Sequence, residues 1–360
     1  MCRDSSQYPL CFIIPSHVHE HIARNGNERQ KETAFRALTV SSRMRGQREF
    51  LTTFAVLATT PTGTKRRTIY DAKNGMTLPG KLVRGEGGPK SADRSVNEAY
   101  DGSGKTYDFY MKAFQRNSID DRGMRLDSTV HYRRNFNNAF WNGQQMVYGY
   151  GDGQIFQRFT KSIDVIGHEL THGVTQYEAE LVYQNQPGAL NEHFSDVFGS
   201  LLKQYVKQQT AKQADWLIGE AIFAPSIHGV ALRSMKAPGT AYNDPLIGRD
   251  PQPAHMKNYV KTTSDNGGVH INSGIPNRAF YEVAIALGGR AWERAGKIWY
   301  RTLIDKIQPL TNFAECAGMT HEVAGTIYGQ GSVEQKAVKA GWAVVGVPIG
   351  AQLAKATGAK

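Results

Sequence analysis

The pentapeptide His168-Glu169-Leu170-Thr171-His172 constrains this chain more than any other stretch. On a helix, residues four apart share a face. Two imidazoles so placed can both reach one Zn²⁺ at about 2.0–2.1 Å. Glu169, one position along, falls beside the metal, where it can take a proton from a zinc-activated water. A helix is expected from Ser162 to Tyr177, with Ser162 at its N-cap, Asp164 suiting the macrodipole in its first turn, and Val165, Leu170 and Val174 giving apolar contacts. Alone, the pattern recurs by chance, and an amphipathic helix with two exposed histidines explains it equally well.

Two further blocks change that balance. Catalytic zinc takes three protein ligands and keeps one position open. Glu192, in Gly188-Ala189-Leu190-Asn191-Glu192-His193-Phe194-Ser195-Asp196, lies 20 residues past His172, far enough for a loop and a second helix to return with the third ligand. Asp196 follows at i+4 on the same face and can orient a ligand imidazole. The third block is Asp265-Asn266-Gly267-Gly268-Val269-His270-Ile271-Asn272-Ser273-Gly274. An Asp–His pair on a glycine turn is a credible transition-state donor, the Asp265 carboxylate raising the pKa of His270 and fixing its tautomer. In isolation, a structural histidine in a turn is the simpler reading of that block.

Length and charge bound the alternatives. The 360 residues can bury two lobes and an appendage, and 40% hydrophobic against 21% charged residues is the balance of a globular protein. A net charge of +11 raises nucleic-acid binding as a candidate. The basic residues are spread along the chain, however, and Lys65-Arg66-Arg67 is their densest cluster. Cys2, Cys11 and Cys316 form no CxxC pair, which excludes a cysteine-based zinc ribbon. Cys2 and Cys11 are near enough in sequence to pair, though thiols kept reduced are the simpler assumption. The longest N-terminal apolar run, Leu10-Cys11-Phe12-Ile13-Ile14, is ended by Pro15 and is shorter than a signal peptide requires. The chain is therefore expected to be made in the cytoplasm, any export using another route, and no stretch is long enough to span a bilayer.

The first 50–60 residues read as a separate unit, helical in spacing from Ser16 to Leu38 with a break at Asn25-Gly26. Thr59 to Thr64 resembles a linker and a proteolytic site, and the maturation cut is expected between Arg48 and Arg67. From Arg67 to Gly153 the chain is rich in strands and loops, with one helix from Asn97 to Arg116, and from Gly188 onward it is mostly helical.

These blocks, in this order and spacing, resemble the thermolysin-like neutral metalloproteases, from roughly Arg67 to Val347. Asn137 to Gly143 and Leu232-Arg233-Ser234-Met235 match further blocks of that family. The short N-terminal segment resembles its protealysin-like subgroup. The resemblance implies an α+β, two-lobed fold with the zinc site on the helix between lobes. It divides the chain into an inhibitory propeptide (1–58), an N-terminal catalytic lobe (59–177), a helical C-terminal lobe (178–347) and a tail (348–360). It implies a zinc-dependent endopeptidase in which His168, His172 and Glu192 bind one zinc and Glu169 is base, then acid. His270 and Tyr183 would stabilise the oxyanion, with Asp265 supporting His270, and Asp196 and Asn191 would hold the zinc histidines. Asn138, the backbone of Ala139 and Arg233 would bind the substrate main chain. Phe159, Val165, Ile218, Ile222 and Leu232 would line a pocket for a bulky hydrophobic residue after the cut.

The departures from the family are informative. Asp164, Asp215 and Glu220 stand at positions of the family's double calcium site, but Lys203 and Leu217 replace two acids, so no calcium is expected there. The subgroup's cleft-blocking element appears as Ile13-Ile14-Pro15-Ser16-His17-Val18, with one proline, and Pro15 to Val18 are expected to block the cleft. His17 and His19 are expected to be surface histidines. Expected partners are peptide substrates and the chain's own propeptide, with no nucleic acid, no membrane and a monomeric state. Two other zinc readings are weaker. A non-catalytic zinc protein has no need of Glu169 and the oxyanion donors, and an aminopeptidase would carry a motif such as GxMEN, which is absent.

Overall fold

The computed structural model describes residues 11–47 and 62–350. Cys2, the expected cut between Arg48 and Arg67 up to residue 61, and most of the tail lie outside them. The described elements, in chain order, are β1 (Cys11–Phe12), α1 (Ser16–Asn25), α2 (Glu28–Gln47), β2 (Arg67–Asp71), β3 (Lys81–Arg84), α3 (Arg94–Phe114), β4 (Leu126–Val130), β5 (Ala139–Trp141) and β6 (Met146–Tyr148). They continue with α4 (Ile163–Glu178), α5 (Asn185–Lys207), the short strands β7 (Leu217–Ile218), β8 (Arg233–Ser234), β9 (Asn243–Asp244) and β10 (Gly248–Arg249), and α6 (Asp265–Asn272), α7 (Gly274–Leu287), α8 (Ala295–Asp305), α9 (Phe313–Tyr328) and α10 (Val333–Val344). The β-rich first lobe and helical second lobe follow the sequence expectation.

The six-stranded sheet runs β1-β5-β6-β4-β2-β3. Its edge strand β1 comes from the N-terminal segment and pairs antiparallel with β5, Cys11 opposite Trp141 and Phe12 opposite Phe140. The segment is thus joined to the catalytic sheet, and its helices α1 and α2 are separated where Asn25-Gly26 breaks the pattern. Phe12 packs with Val40 of α2, Tyr132, Phe136, Phe140 and Val147, so apolar burial holds strand and helix together.

Helices α4 and α5 lie side by side at the centre. A side-chain carbon on Gly199 would sit 2.6 Å from the Asp164 carbonyl oxygen, and one on Gly167 would sit 2.7 Å from Leu202. Glycine at both positions lets the backbones approach closely enough for α5 side chains to reach those of α4. The start of α4 differs from expectation. Ser162 occupies the N-cap position, but its hydroxyl bonds the Asp164 carboxylate at 2.5 Å instead of capping a backbone N–H. Asp164 is drawn away toward Lys203, as described below. The basic cluster is also engaged internally: Lys65 pairs with Asp108 at 2.6 Å, Arg66 donates to the Gly123 carbonyl at 2.8 Å, and Arg67 donates to Glu86 at 2.8 Å. Among the described residues no helix is long and apolar enough to cross a membrane.

Candidate active site

His168 and His172 stand one turn apart on α4, fully buried, with their Nε2 atoms 3.0 Å from each other. Each ring is oriented from α5. His168 Nδ1 lies 2.8 Å from Asp196 Oδ1, and His172 Nδ1 lies 2.8 Å from Asn191 Oδ1 and 3.0 Å from Ser195 Oγ. Carboxylate and amide oxygens can only accept, so both Nδ1 atoms donate and both Nε2 lone pairs face inward. Two lone pairs 3.0 Å apart repel unless a positive charge lies between them. Glu192 of α5 closes the group, its carboxylate oxygens 3.4 Å from His168 Nε2 and 3.5 Å from His172 Nε2. Its Oε2 is buried without a hydrogen-bond partner.

Burial opposes a charged His168, but Asp196 and Glu192 outweigh it and hold its pKa up at about 9, whereas burial pushes His172 down to about 3. Two imidazoles and a carboxylate around one positive charge form the donor set of catalytic zinc. The residues present fit that ion.

Glu169 projects beside this group, its Oε2 accepting from the Trp141 backbone N–H at 3.0 Å and its Oε1 buried without a partner. Burial raises its pKa to about 8, the direction wanted of a proton acceptor near neutrality. Opposite, His270 is presented by a turn in which Asp265, Asn266, Gly267 and Gly268 all have left-handed backbone. Glycine adopts that conformation without steric cost and Asp and Asn tolerate it better than other residues, which explains the Asp-Asn-Gly-Gly run. The turn curls Asp265 back so that its carboxylate takes His270 Nδ1 at 2.6 Å and the His270 backbone N–H at 2.9 Å. Burial opposes charge on His270, but Asp265 and Glu192 prevail and raise its pKa. Tyr183 OH lies 3.2 Å from His270 Nε2 and donates to Glu192.

Arg233 on β8 grips Asp196 with two bonds of 2.8 Å, and Asn277 adds a third at 2.9 Å. Its remaining nitrogen donates to the Ile13 carbonyl at 3.3 Å. The N-terminal segment therefore reaches the site. Ile13 N–H donates to the Ala139 carbonyl at 3.1 Å, Ile14 N–H donates to Asn138 Oδ1 at 3.0 Å, and Asn138 Nδ2 returns a bond to the Ile14 carbonyl at 3.2 Å. The Phe12 carbonyl lies 3.1 Å from His270 Nε2. Phe159, Val165, Ile218, Ile222 and Leu232 are all buried in the apolar cluster that contains Ile13 and Ile14.

The segment along the strand edge is thus Cys11 to Ile14, just upstream of the expected Pro15 to Val18. Pro15 instead precedes α1 at its N-cap, Ser16 opens the helix, His17 bonds Tyr242 OH at 3.0 Å, and Val18 is buried. The expectation of surface histidines fails. His19 is 1% exposed and packs edge-on to Phe156, and His17 is half-buried. The signal for the strand was present, a five-residue apolar run without helical spacing that stops at a proline. What it could not reveal was a partner more than a hundred residues away.

Where the start of α4 meets the C-terminal turns of α5, the Lys203 ammonium lies 3.1 Å from Asp164, 2.6 Å from Asp215 and 2.6 Å from the Leu217 carbonyl. Glu220 is exposed.

Comparison with known proteins agrees with this geometry. The family profile of the thermolysin metallopeptidase catalytic domain matches residues 41–176, and that of the thermolysin metallopeptidase alpha-helical domain matches residues 179–347. The chain is 56% identical over 302 residues to an extracellular metalloprotease of Pectobacterium carotovorum subsp. carotovorum, covering 84% of this chain and 86% of that one. It is 46% identical over 343 residues to protease PrtS of Photorhabdus sp. (strain Az29), covering 94% and 92%. Among solved structures, the precursor of protealysin, a metalloproteinase from Serratia proteamaculans, superposes with a TM-score of 0.86 at 51% identity, covering 94% of this chain and 99% of that one. With two paired helices carrying an inward-facing His, His, Glu set and both halves matched, the chain belongs to the thermolysin family of metallopeptidases.

Proposed function

We propose that this chain is the latent precursor of a zinc-dependent endopeptidase, held inactive by its own first segment. The observation that carries this reading is the facing pair of imidazole nitrogens closed by Glu192, with the unpartnered oxygen of Glu169 beside them. Zinc held by His168, His172 and Glu192 would supply a Lewis acid that lowers the pKa of water and polarises the scissile carbonyl. Glu169 takes the proton of the attacking water and passes it to the leaving amine. His270, whose pKa Asp265 and Glu192 raise against the effect of burial, and Tyr183 donate to the developing oxyanion. Asn138, Ala139 and Arg233 hold the peptide main chain as an added strand. Asp196 and Asn191 keep the zinc histidines in one tautomer.

The domain division follows the same reading: 1–58 as propeptide, 59–177 and 178–347 as the two lobes, and 348–360 as tail. Phe12 to Ile14 make the main-chain bonds a substrate would make. We further propose that the enzyme is monomeric and, like the relative named extracellular, works outside the cell. Zinc removal by a chelator, followed by zinc return, tests the core of the proposal. Peptide hydrolysis should vanish and recover, and hydrolysis that survives complete zinc loss refutes it. Intact mass and N-terminal sequencing of the activated chain would locate the cut.

Three consequences follow. We take Ile13, fully buried in the same apolar cluster as those five residues, to mark the place of the residue after the cut. Peptide-library cleavage should favour Leu, Ile or Phe there, one methylene being worth roughly 1–3 kcal/mol, and an indifferent library would exclude the pocket. Lys203 fills the position between Asp164 and Asp215 with its own charge, so metal analysis of the dialysed protein should find zinc and no calcium at this position. Two tightly held Ca²⁺ per chain would overturn that.

The third consequence concerns His19. Burial lowers its pKa to about 4, from an ordinary value of 6.5, with His17 adding to the effect and Asp152 opposing it. The docked state holds the neutral ring. Above pH 6.5 docking carries no penalty. Between 6.5 and about 4, the undocked segment takes up a proton that the docked segment refuses, so docking weakens as pH falls. The loss from His19 alone is roughly thirtyfold from pH 7.5 to 5, and His17, whose pKa burial likewise lowers to about 4, acts in the same direction. The inhibition constant of the separated segment against the mature chain, read at both pH values, checks this, and a constant that does not move disproves it.

A further inference from the structure

Cys11 is the first residue of β1, next to Phe12, and it is buried. It packs against Tyr183 and Val269, the walls of the zinc site opposite α4. Side chains alternate along a strand. Phe12 turns away into the apolar cluster with Phe140, while Cys11 and Ile13 face the cleft floor. The result is a close group in which Cys11 Sγ, a nitrogen of His172 and an oxygen of Glu192 all lie within 4.8 Å of one another. Beside them is the Oε2 of Glu192, buried and without a hydrogen-bond partner. In tetrahedral zinc a sulfur ligand stands about 3.5 Å from its nitrogen and oxygen neighbours. A side-chain movement on the order of 1 Å therefore brings the sulfur into coordination.

We propose that Cys11 is the fourth zinc ligand of the latent chain, a thiol latch on the metal position the attacking water must occupy; this rests on the zinc reading above. When the latch closes, the Cys11 S–H bond breaks, the sulfur–zinc bond forms, and the proton leaves with the displaced water. The latch accounts for a second feature of the site. Phe12 and Ile13 are held as a substrate would be, the Phe12 carbonyl at His270 and the Ile13 N–H on Ala139, so the bond between them is exposed to the enzyme's own chemistry. With the thiolate on zinc, Glu169 has no activated water to deprotonate and that bond survives. Main-chain pairing seats the segment, and Cys11 disarms the centre.

The test uses the full chain carrying Glu169→Gln, which keeps it from processing itself, loaded with one zinc. X-ray absorption at the zinc edge should show one sulfur neighbour at about 2.3 Å, and none in the same chain carrying Cys11→Ser. With cobalt(II) in place of zinc, the parent should show a thiolate-to-cobalt charge-transfer band that Cys11→Ser lacks. If Cys11→Ser does not fold, the parent's two spectra decide alone. Nitrogen and oxygen neighbours only, in a parent that holds its zinc, overturn the latch and leave the peptidase reading standing. A sulfur neighbour that persists in folded Cys11→Ser assigns the ligand to another thiol and also overturns it. A parent that binds no zinc overturns both.

Discussion

Glu169→Gln lowers peptide hydrolysis by a factor of about 10²–10⁴, the usual worth of a positioned acid–base group, while zinc content stays at one per chain. The substitution is nearly isosteric, and an amide oxygen can still accept from the Trp141 N–H that holds the carboxylate now. What it removes is the basic oxygen that faces the site without a partner. On the proposed role of Glu169 as base and then acid, both halves of the reaction fail together. The same variant should remain full length on storage, since it cannot cut itself. Zinc content by metal analysis, and kcat on a peptide substrate after the segment is removed by an added protease, make the measurement. A variant within tenfold of the parent would show that Glu169 is not the proton carrier.

Asp196→Ala damages metal binding and stability at once. Asp196 is fully buried, and its two oxygens serve His168, both arms of Arg233 and Asn277. Burial alone would favour the neutral acid, but Arg233 and then His168 overcome it and hold the carboxyl far below its usual range. Removing it leaves the Arg233 guanidinium buried without its counter-charge, a defect that costs about 3–5 kcal/mol. The His168 ring also loses the acceptor that fixes its tautomer, a change that weakens zinc typically 10–100-fold. The expected result is a zinc Kd raised by that factor and a lowered Tm even in excess zinc. Asp196→Asn, which keeps an acceptor and loses the charge, should fall between. Parent-like zinc affinity in Asp196→Ala would mean that packing alone aims His168.

The parts of the site that were legible beforehand are those that local geometry dictates. The helical period puts His168 and His172 on one face wherever α4 sits, and Asp265 and His270 meet because the glycines between them permit a left-handed turn. Glu192 and Asp196 share a face of α5 for the same reason as the histidines. Other features depended on distant partners and were not legible. Whether Cys11 to Ile14 is a strand depends on an open edge at Ala139 to Trp141, and which side chains it turns inward depends on register. His19 belongs to a helix with a polar look, and only the docking of α1 against Phe156 and Asn138 buries it. Ser162 has the chemistry of a cap, yet its hydroxyl is taken by Asp164, which is drawn in turn to Lys203 across the α4–α5 contact.

By itself, then, the sequence determined the donor set, the helix that carries it and the chemistry it can perform, because residue type and a 3.6-residue period are local properties. Only the tertiary structure decided what occupies the cleft. Four residues near the N-terminus complete a sheet edge made more than a hundred residues later. That pairing is set by backbone hydrogen bonds and apolar burial summed over both partners, and it carries the Cys11 thiol to His172 and Glu192.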